Sequence, residues 1–307
     1  MNYFLIALIT VAIMLLYAFP GYLLVKTKFV KEEAISAFAK VLMYVCQPCL
    51  TVYSFLRVDF SKQVALDLLF VFVFVFVILF VSLITFRLAF RKKKEDAKIR
   101  VYNIAICFSN FAFMGIPVLE ALLPDYPEAV ALTAAAGLAM NMIGFTLASA
   151  IIANDRKYVR INKILFNPAT LALIFVLPFF ITGVQFPKQI DDAITILARM
   201  TTPLCMMIMG MRLACIKFVS LFTNPINYLI IGIKQLVLPL IVWLILLIFP
   251  VDINVKTSLY IMFCCPIASV VLNFAEITGS GQDTAANLLL LGTGLSIVTI
   301  PVMVLIL

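Results

Sequence analysis

Apolar runs of about 20 residues follow one another along almost the whole of this 307-residue chain, with only short polar gaps between them. A helix rises about 1.5 Å per residue, so each run matches the hydrocarbon thickness of a bilayer. Ten such spans are read, at 4–25, 34–56, 66–90, 101–123, 127–152, 164–182, 190–214, 224–249, 255–277 and 283–306. Hydrophobic residues make up 64% of the chain and charged ones 12%, too little polar surface for a soluble domain of this size. The chain therefore reads as an all-α polytopic membrane protein of ten transmembrane helices, seated in the cytoplasmic membrane.

The basic residues are shared unevenly between the loops. One set of loops carries fifteen: Lys26, Lys28, Lys31, the six from Arg91 to Arg100 (Lys94 among them), the four from Arg156 to Lys163 (Arg160 among them), Arg212 and Lys217. The other set carries four, Arg57, Lys62, Lys188 and Lys256. Basic loops stay on the cytoplasmic side, which puts both termini outside. The net charge of +8 is thus a topology signal and not a nucleic-acid footprint. The longest hydrophilic loop, Asn154 to Lys163, divides the chain into residues 1–153, a cytoplasmic linker 154–163 and residues 164–307. Five spans on each side is an odd number, so the halves insert with opposite orientation, as inverted repeats.

Several function classes are excluded. There is no histidine, the commonest general base and metal ligand. The seven cysteines, 46, 49, 107, 205, 215, 264 and 265, lie in or beside apolar spans. Even the redox-like spacing Cys46-Gln47-Pro48-Cys49 reads as small apolar residues in a helix. No catalytic Ser/His/Asp set, paired carboxylates or metal cluster is present, so no enzyme, metal or cofactor is expected. The N-terminus lacks a basic region and a small-residue cleavage site, and reads as a retained first helix.

Two stretches break the apolar pattern. Span four contains Phe113-Met114-Gly115-Ile116-Pro117-Val118-Leu119-Glu120, and span nine contains Phe263-Cys264-Cys265-Pro266-Ile267-Ala268-Ser269. A second pair of prolines, Pro48 and Pro203, recurs in spans two and seven. Proline inside a helix removes a hydrogen bond and clashes with the preceding turn. Broken spans at matching positions of two halves are the sequence pointer to a midplane site in a transporter. The half-helices after Pro117 and Pro266 are expected to aim N–H groups of Val118 to Glu120 and Ile267 to Ser269 at the crossing, where partial positive charge favours an anion. The opposed carbonyl ends suit a cation.

The substrate-binding candidates are Asn110, Gly115, Ile116, Pro117, Val118, Asn141, Cys265, Pro266, Ile267, Ser269 and Asn273. Polar amides in lipid should face the protein interior, which is why the three asparagines are included. Charged residues within spans are functional candidates by default. Asp67, Glu120, Lys234 and Glu276 are candidates for ion or proton coupling, with Glu120 and Glu276 expected in interfacial water. Lys40 reads as a side chain snorkelling to the cytoplasmic surface.

On the Asn110–Pro117 stretch, Asn167-Pro168, Thr202-Pro203-Leu204 with Gly210, and Cys265-Pro266-Ile267-Ala268-Ser269, the chain resembles prokaryotic members of the auxin efflux carrier family. The resemblance runs over essentially the whole chain. It implies a fold similar to sodium/proton antiporters and bile acid symporters. Spans 1, 2, 6 and 7 would form a dimerising scaffold, and spans 3–5 and 8–10 a mobile transport domain with crossing, broken spans 4 and 9. Plant members export auxin, and bacterial relatives are associated with dicarboxylates such as malate and malonate. Plant members also carry a long central hydrophilic loop. Here it has about ten residues, so neither plant-type regulation nor auxin itself carries over.

The leading expectation is an elevator-like carrier of a small organic anion, a mono- or dicarboxylate, working as a homodimer among membrane lipids. The alternatives are a Na⁺- or H⁺-coupled symporter or antiporter of the same fold, and a membrane sensor that binds ligand without turnover.

Overall fold

The computed structural model describes residues 2–93, 95–159, 162–216 and 218–307. Lys94, Arg160 and Lys217 of the charge argument, and Ile161 of the linker, lie outside the described residues. Among those described the chain is helical, with no strand.

Seven helices are long and apolar enough to cross a membrane: α1 (Tyr3–Lys26), α2 (Ala34–Leu56), α3 (Lys62–Ala89), α6 (Glu128–Ala153), α8 (Lys188–Cys215), α9 (Pro225–Leu246) and α12 (Gln282–Val304). Among the described residues, five shorter helices of eight or more residues lie between them: α4 (Ala97–Cys107), α5 (Gly115–Leu122), α7 (Pro168–Thr182), α10 (Ile253–Cys264) and α11 (Val270–Thr278).

Three expected spans therefore differ from single long helices. Spans four and nine are each two helices, α4 with α5 and α10 with α11, separated by non-helical chain. Span six shortens to the 15 residues of α7. At 1.5 Å per residue that is about 22 Å, less than the ~30 Å of a bilayer core. Both limits of α7 are set locally. Asn167 caps it by accepting from the Ala169 N–H, Pro168 occupies the first turn, and Gly183 ends it at φ 70°.

The apolar residues divide into two populations, as a membrane bundle requires. Along α3, Val71, Val75, Leu79 and Leu83 are buried at helical spacing, while Leu69, Val73, Val77 and Ile84 on the opposite side are exposed. A helix apolar on both faces has no stable place in water, but in lipid both faces are satisfied.

Three helices contain a π-turn: Leu42–Cys46 in α2, Gly144–Ala148 in α6 and Ile233–Val237 in α9. In α2 and α9 the cause lies downstream. Pro48 and Pro239 supply no N–H to the preceding turn and their rings crowd it, and a wider turn relieves both.

Helices α1 and α8 approach closely at two glycines. A methyl at Gly21 would overlap the Met207 carbonyl oxygen, and one at Gly210 the Ala18 carbonyl oxygen. Small residues allow this contact without a hydrophobic driving force between helices. Gly210→Val should therefore cost about 1–3 kcal/mol by overpacking. Its melting temperature in detergent is expected to fall clearly below that of the native chain. An unchanged melting curve would mean the two helices separate freely.

Candidate functional site

Helix α4 ends at Cys107, where the chain straightens, with Phe108 at φ −93° and ψ 116°. Helix α10 ends at Cys264, with Cys265 at φ −61° and ψ 149°. The two breaks lie antiparallel and bond to each other. The Asn110 N–H donates to the Pro266 carbonyl at 2.8 Å, and the Ala268 N–H to the Phe108 carbonyl at 3.1 Å, flanking the Ser109–Ile267 pair. Non-helical backbone at membrane depth must be satisfied inside the protein, and here each break satisfies the other. From α8, the Thr202 hydroxyl adds a bond to the Phe113 carbonyl at 3.0 Å.

This geometry corrects the expected amide donors. Helix α5 begins at Gly115, so Pro117 is its third residue and not its start. The Val118 N–H donates to the Met114 carbonyl at 3.4 Å. Helix α11 begins at Val270, four residues beyond Pro266, and the Ala268 N–H is committed to Phe108. Val118 and Ala268 therefore offer no free amide to a ligand. The side chains beside the breaks are better placed for that role.

A cavity of about 110 Å³ adjoins the crossing. Asn110 from the first break, Asn141 from α6, and Ser269 and Asn273 at the start of α11 all line it. Its apolar walls include Phe111, Phe113, Met140 and Phe145. Asn110 is 4% exposed; its Oδ1 accepts from the Phe113 N–H at 3.3 Å, and its Nδ2 has no partner. An unpaired buried donor costs about 1–3 kcal/mol, so a ligand acceptor there would recover that energy.

The sequence reading missed three further polar lining residues: Gln47, Asn167 and Arg212. Gln47 follows the π-turn of α2, and a Pro48 distortion next to an amide was the available signal. Asn167 reads as a helix cap and does serve as one. Arg212 reads as a loop anchor at the end of a span, and nothing local marks it as a cavity residue.

Cavities adjoin one another from one end of α2 to the other. Near the start of α2 a vestibule of about 560 Å³ is lined by Glu32, Lys40, Glu276 and Asp283 and shares Arg212 and Asn273 with the inner cavity. On its other side the inner cavity shares Gln47, Ala112 and Asn141 with a space of about 50 Å³ that also holds Thr51, Ser54 and Thr133. That space shares Leu50 and Ile116 with a cavity of about 270 Å³ near the far end of α2, where Pro117, Glu120 and Arg199 lie. Pro117 and Glu120 thus sit apart from the asparagine cluster. The Tyr53 hydroxyl donates to Glu120 at 3.4 Å.

The remaining candidates are structural in their contacts. Val118, Cys265 and Ile267 are fully buried, and Gly115 lies against the Asn110 carbonyl and the Cys265 sulfur. Asp67 is buried on α3, where Gln63 donates to it at 2.9 Å. Glu276 forms an ion pair with Arg212 at the neck between vestibule and inner cavity, the two side chains 41% and 21% exposed. A pair this accessible to water is worth about 0–1 kcal/mol. Lys234, on the π-turn of α9, is fully buried, and its Nζ donates to the Phe263 carbonyl at 2.9 Å. The cation suited to the carbonyl end of α10 is therefore the chain's own ammonium.

The family model described as a membrane transport protein matches residues 6–164 and 157–304, nearly the whole chain. The chain belongs to the auxin efflux carrier family. No curated protein matches it. Family membership and the seven long apolar helices make it a multi-pass membrane transport protein.

Lys234 allows a stability test. Burying its charge costs several kcal/mol, whereas leaving the Phe263 carbonyl unpaired costs about 1–3 kcal/mol. The larger cost is relieved in Lys234→Met, which is expected to melt no lower than the native chain. A clear fall would show that the carbonyl's partner matters more than the buried charge.

Proposed function

We propose that this family member is a secondary carrier of a small organic anion, a mono- or dicarboxylate, in the cytoplasmic membrane. The observation that carries the anion is Asn110 Nδ2, a buried donor without a partner at a cavity whose one charged lining group, among the described residues, is Arg212. Amide donors and a guanidinium match carboxylate oxygens in number and in charge. Asn141, Ser269 and Asn273 complete the set.

In this reading the chain has ten spans in two inverted five-helix repeats, 1–153 and 164–307, joined by the cytoplasmic linker 154–163, with both termini outside. The two matched family segments meet at residues 157–164, within that linker and one residue beyond. The scaffold comprises α1, α2, α7 and α8, and the moving part α3–α6 and α9–α12. Two packing features support the first group: the glycine contact of α1 with α8, and the contact of Phe55 on α2 with Phe180 on α7, ring centroids 5.2 Å apart. The cavity takes Gln47 and Arg212 from the first group and Asn110, Asn141 and Asn273 from the second. A site lined from both groups is what elevator movement of one past the other would carry between the two sides. The family resemblance adds a homodimer built on the scaffold.

Proton coupling is the second reading, and Glu120 favours it: an exposed carboxylate beside Tyr53 in the cavity at the far end of α2. Sodium at the α10 carbonyl end is disfavoured, because Lys234 already meets that end.

The deciding experiment is thermal stabilisation of the purified chain by malonate, malate and benzoate, with and without Na⁺ and at two pH values. Ligand at 100 times its Kd stabilises by about 2.7 kcal/mol. A carboxylate is expected to raise the melting temperature. Asn110→Ala should weaken that ligand roughly tenfold or more, the loss of one charge-assisted hydrogen bond. A response to Na⁺ alone would overturn the anion reading.

The two prolines should separate in proteoliposome flux. Pro266→Ala restores an N–H where α10 could continue, and competes with the crossing bonds. Pro117→Ala changes only a first-turn position of α5, where a missing donor matters little. Carboxylate flux is expected to fall far more in Pro266→Ala, and equal losses would show that both prolines serve one role.

A further inference from the structure

Arg212 is the one charged residue, among those described, that lines both the inner cavity and the vestibule. Its position follows from helical spacing: Cys205, Ile208, Met209 and Arg212 form one face of α8, and all four line the inner cavity. Opposite it, Ser269, Asn273 and Glu276 form a polar line along α11, from the inner cavity outward to the neck. Arg212 meets the last of these, in an ion pair open to vestibule water.

The vestibule is otherwise hostile to an anion. Glu32, Glu33, Glu276 and Asp283 line it, against Lys40 and Arg212. A carboxylate arriving there is not favoured until it reaches the guanidinium. A guanidinium presents a planar fork that holds one carboxylate bidentately, and Glu276 now occupies it.

On the anion-carrier reading above, we propose that Arg212 is the specificity-determining residue for the substrate carboxylate. Glu276 holds it in the empty protein, and the ligand displaces Glu276 on passing the neck. The same exchange unties α11 from α8, so occupancy of the site and the contact between the two helix groups are coupled.

The test uses the purified full chain with two matched probe pairs, malonate with malonamide and benzoate with benzamide, and reads apparent Kd from thermal stabilisation. The native chain is expected to bind a carboxylate and not its amide. R212Q should weaken the carboxylate by about tenfold or more. R212K should fall between, because it keeps the charge and loses the fork. E276Q frees the guanidinium and should bind several-fold tighter than the native chain, roughly the worth of one exposed ion pair. The double change R212E/E276R rebuilds an ion pair with its sense reversed, so it should fold and still not bind.

Native-like binding in R212Q or in the reversed pair overturns the proposal and leaves the carrier reading standing. So does equal weakening in E276Q and R212Q, which would assign the effect to the pair and not to Arg212. If neither carboxylate stabilises the native chain, the anion reading fails, and this proposal with it.

Discussion

Hydrocarbon offers no hydrogen bonds, so every backbone group at membrane depth must find its partner inside the protein. The two non-helical stretches at 108–114 and 265–269 are the severe case. Each unpaired group would cost several kcal/mol, more than a marginally stable protein can absorb more than once or twice. The antiparallel bonds between Asn110 and Pro266 and between Phe108 and Ala268 remove much of that cost, and they do so only when both breaks are present. Neither half of the chain can therefore form its break alone. The Lys234 ammonium on the Phe263 carbonyl and the Thr202 hydroxyl on the Phe113 carbonyl extend the same economy to the flanking residues.

This dependence explains which parts of the structure could be read from the sequence. The apolar runs showed the seven long helices directly, because the length of an apolar run is a local quantity. Pro266 marked its break correctly. Pro117 sat two residues inside the helix that follows its break, because the real interruption at Ser109 and Asn110 is imposed by pairing with a segment over 150 residues away. Asn110, Asn141, Ser269 and Asn273 were legible as a group because a polar side chain in an apolar run must turn inward, and inward is where the cavity is. Arg212 was not, since an arginine at a span end looks the same whether it anchors to lipid heads or faces a channel of water. Nor was the partner of Glu120 visible, because Tyr53 lies on another helix and meets it only through tertiary packing.

Charge is distributed along the cavities with evident economy. The smallest space has only neutral amides and hydroxyls as its polar lining, which need no counter-ion and can be left empty at modest cost. Formal charges sit where water reaches them, Arg212 with Glu276 at one neck and Glu120 near Arg199 toward the other end. Two charged residues depart from this: Asp67, buried beside Gln63, and Lys234, fully buried against a helix C-terminus whose partial negative charge offsets part of its desolvation.

The two necks differ in kind, and this bears on how a carrier built this way would work. Toward the vestibule the inner cavity meets its neighbour at Arg212 and Asn273, both polar. Toward the far end it narrows at Leu50 and Ile116, apolar groups that strip water from anything passing. By the first route an anion keeps its water shell but must pass the vestibule carboxylates to reach Arg212, while the second presents a desolvation barrier. Leu50 belongs to α2 and Ile116 to α5, so under the carrier reading they lie on opposite sides of the moving boundary. Sliding α5 past α2 would separate these two side chains, and the same slide would part Arg212 on α8 from Asn273 and Glu276 on α11. Under the carrier reading, both constrictions are thus made by contacts between the two helix groups, one apolar and one polar.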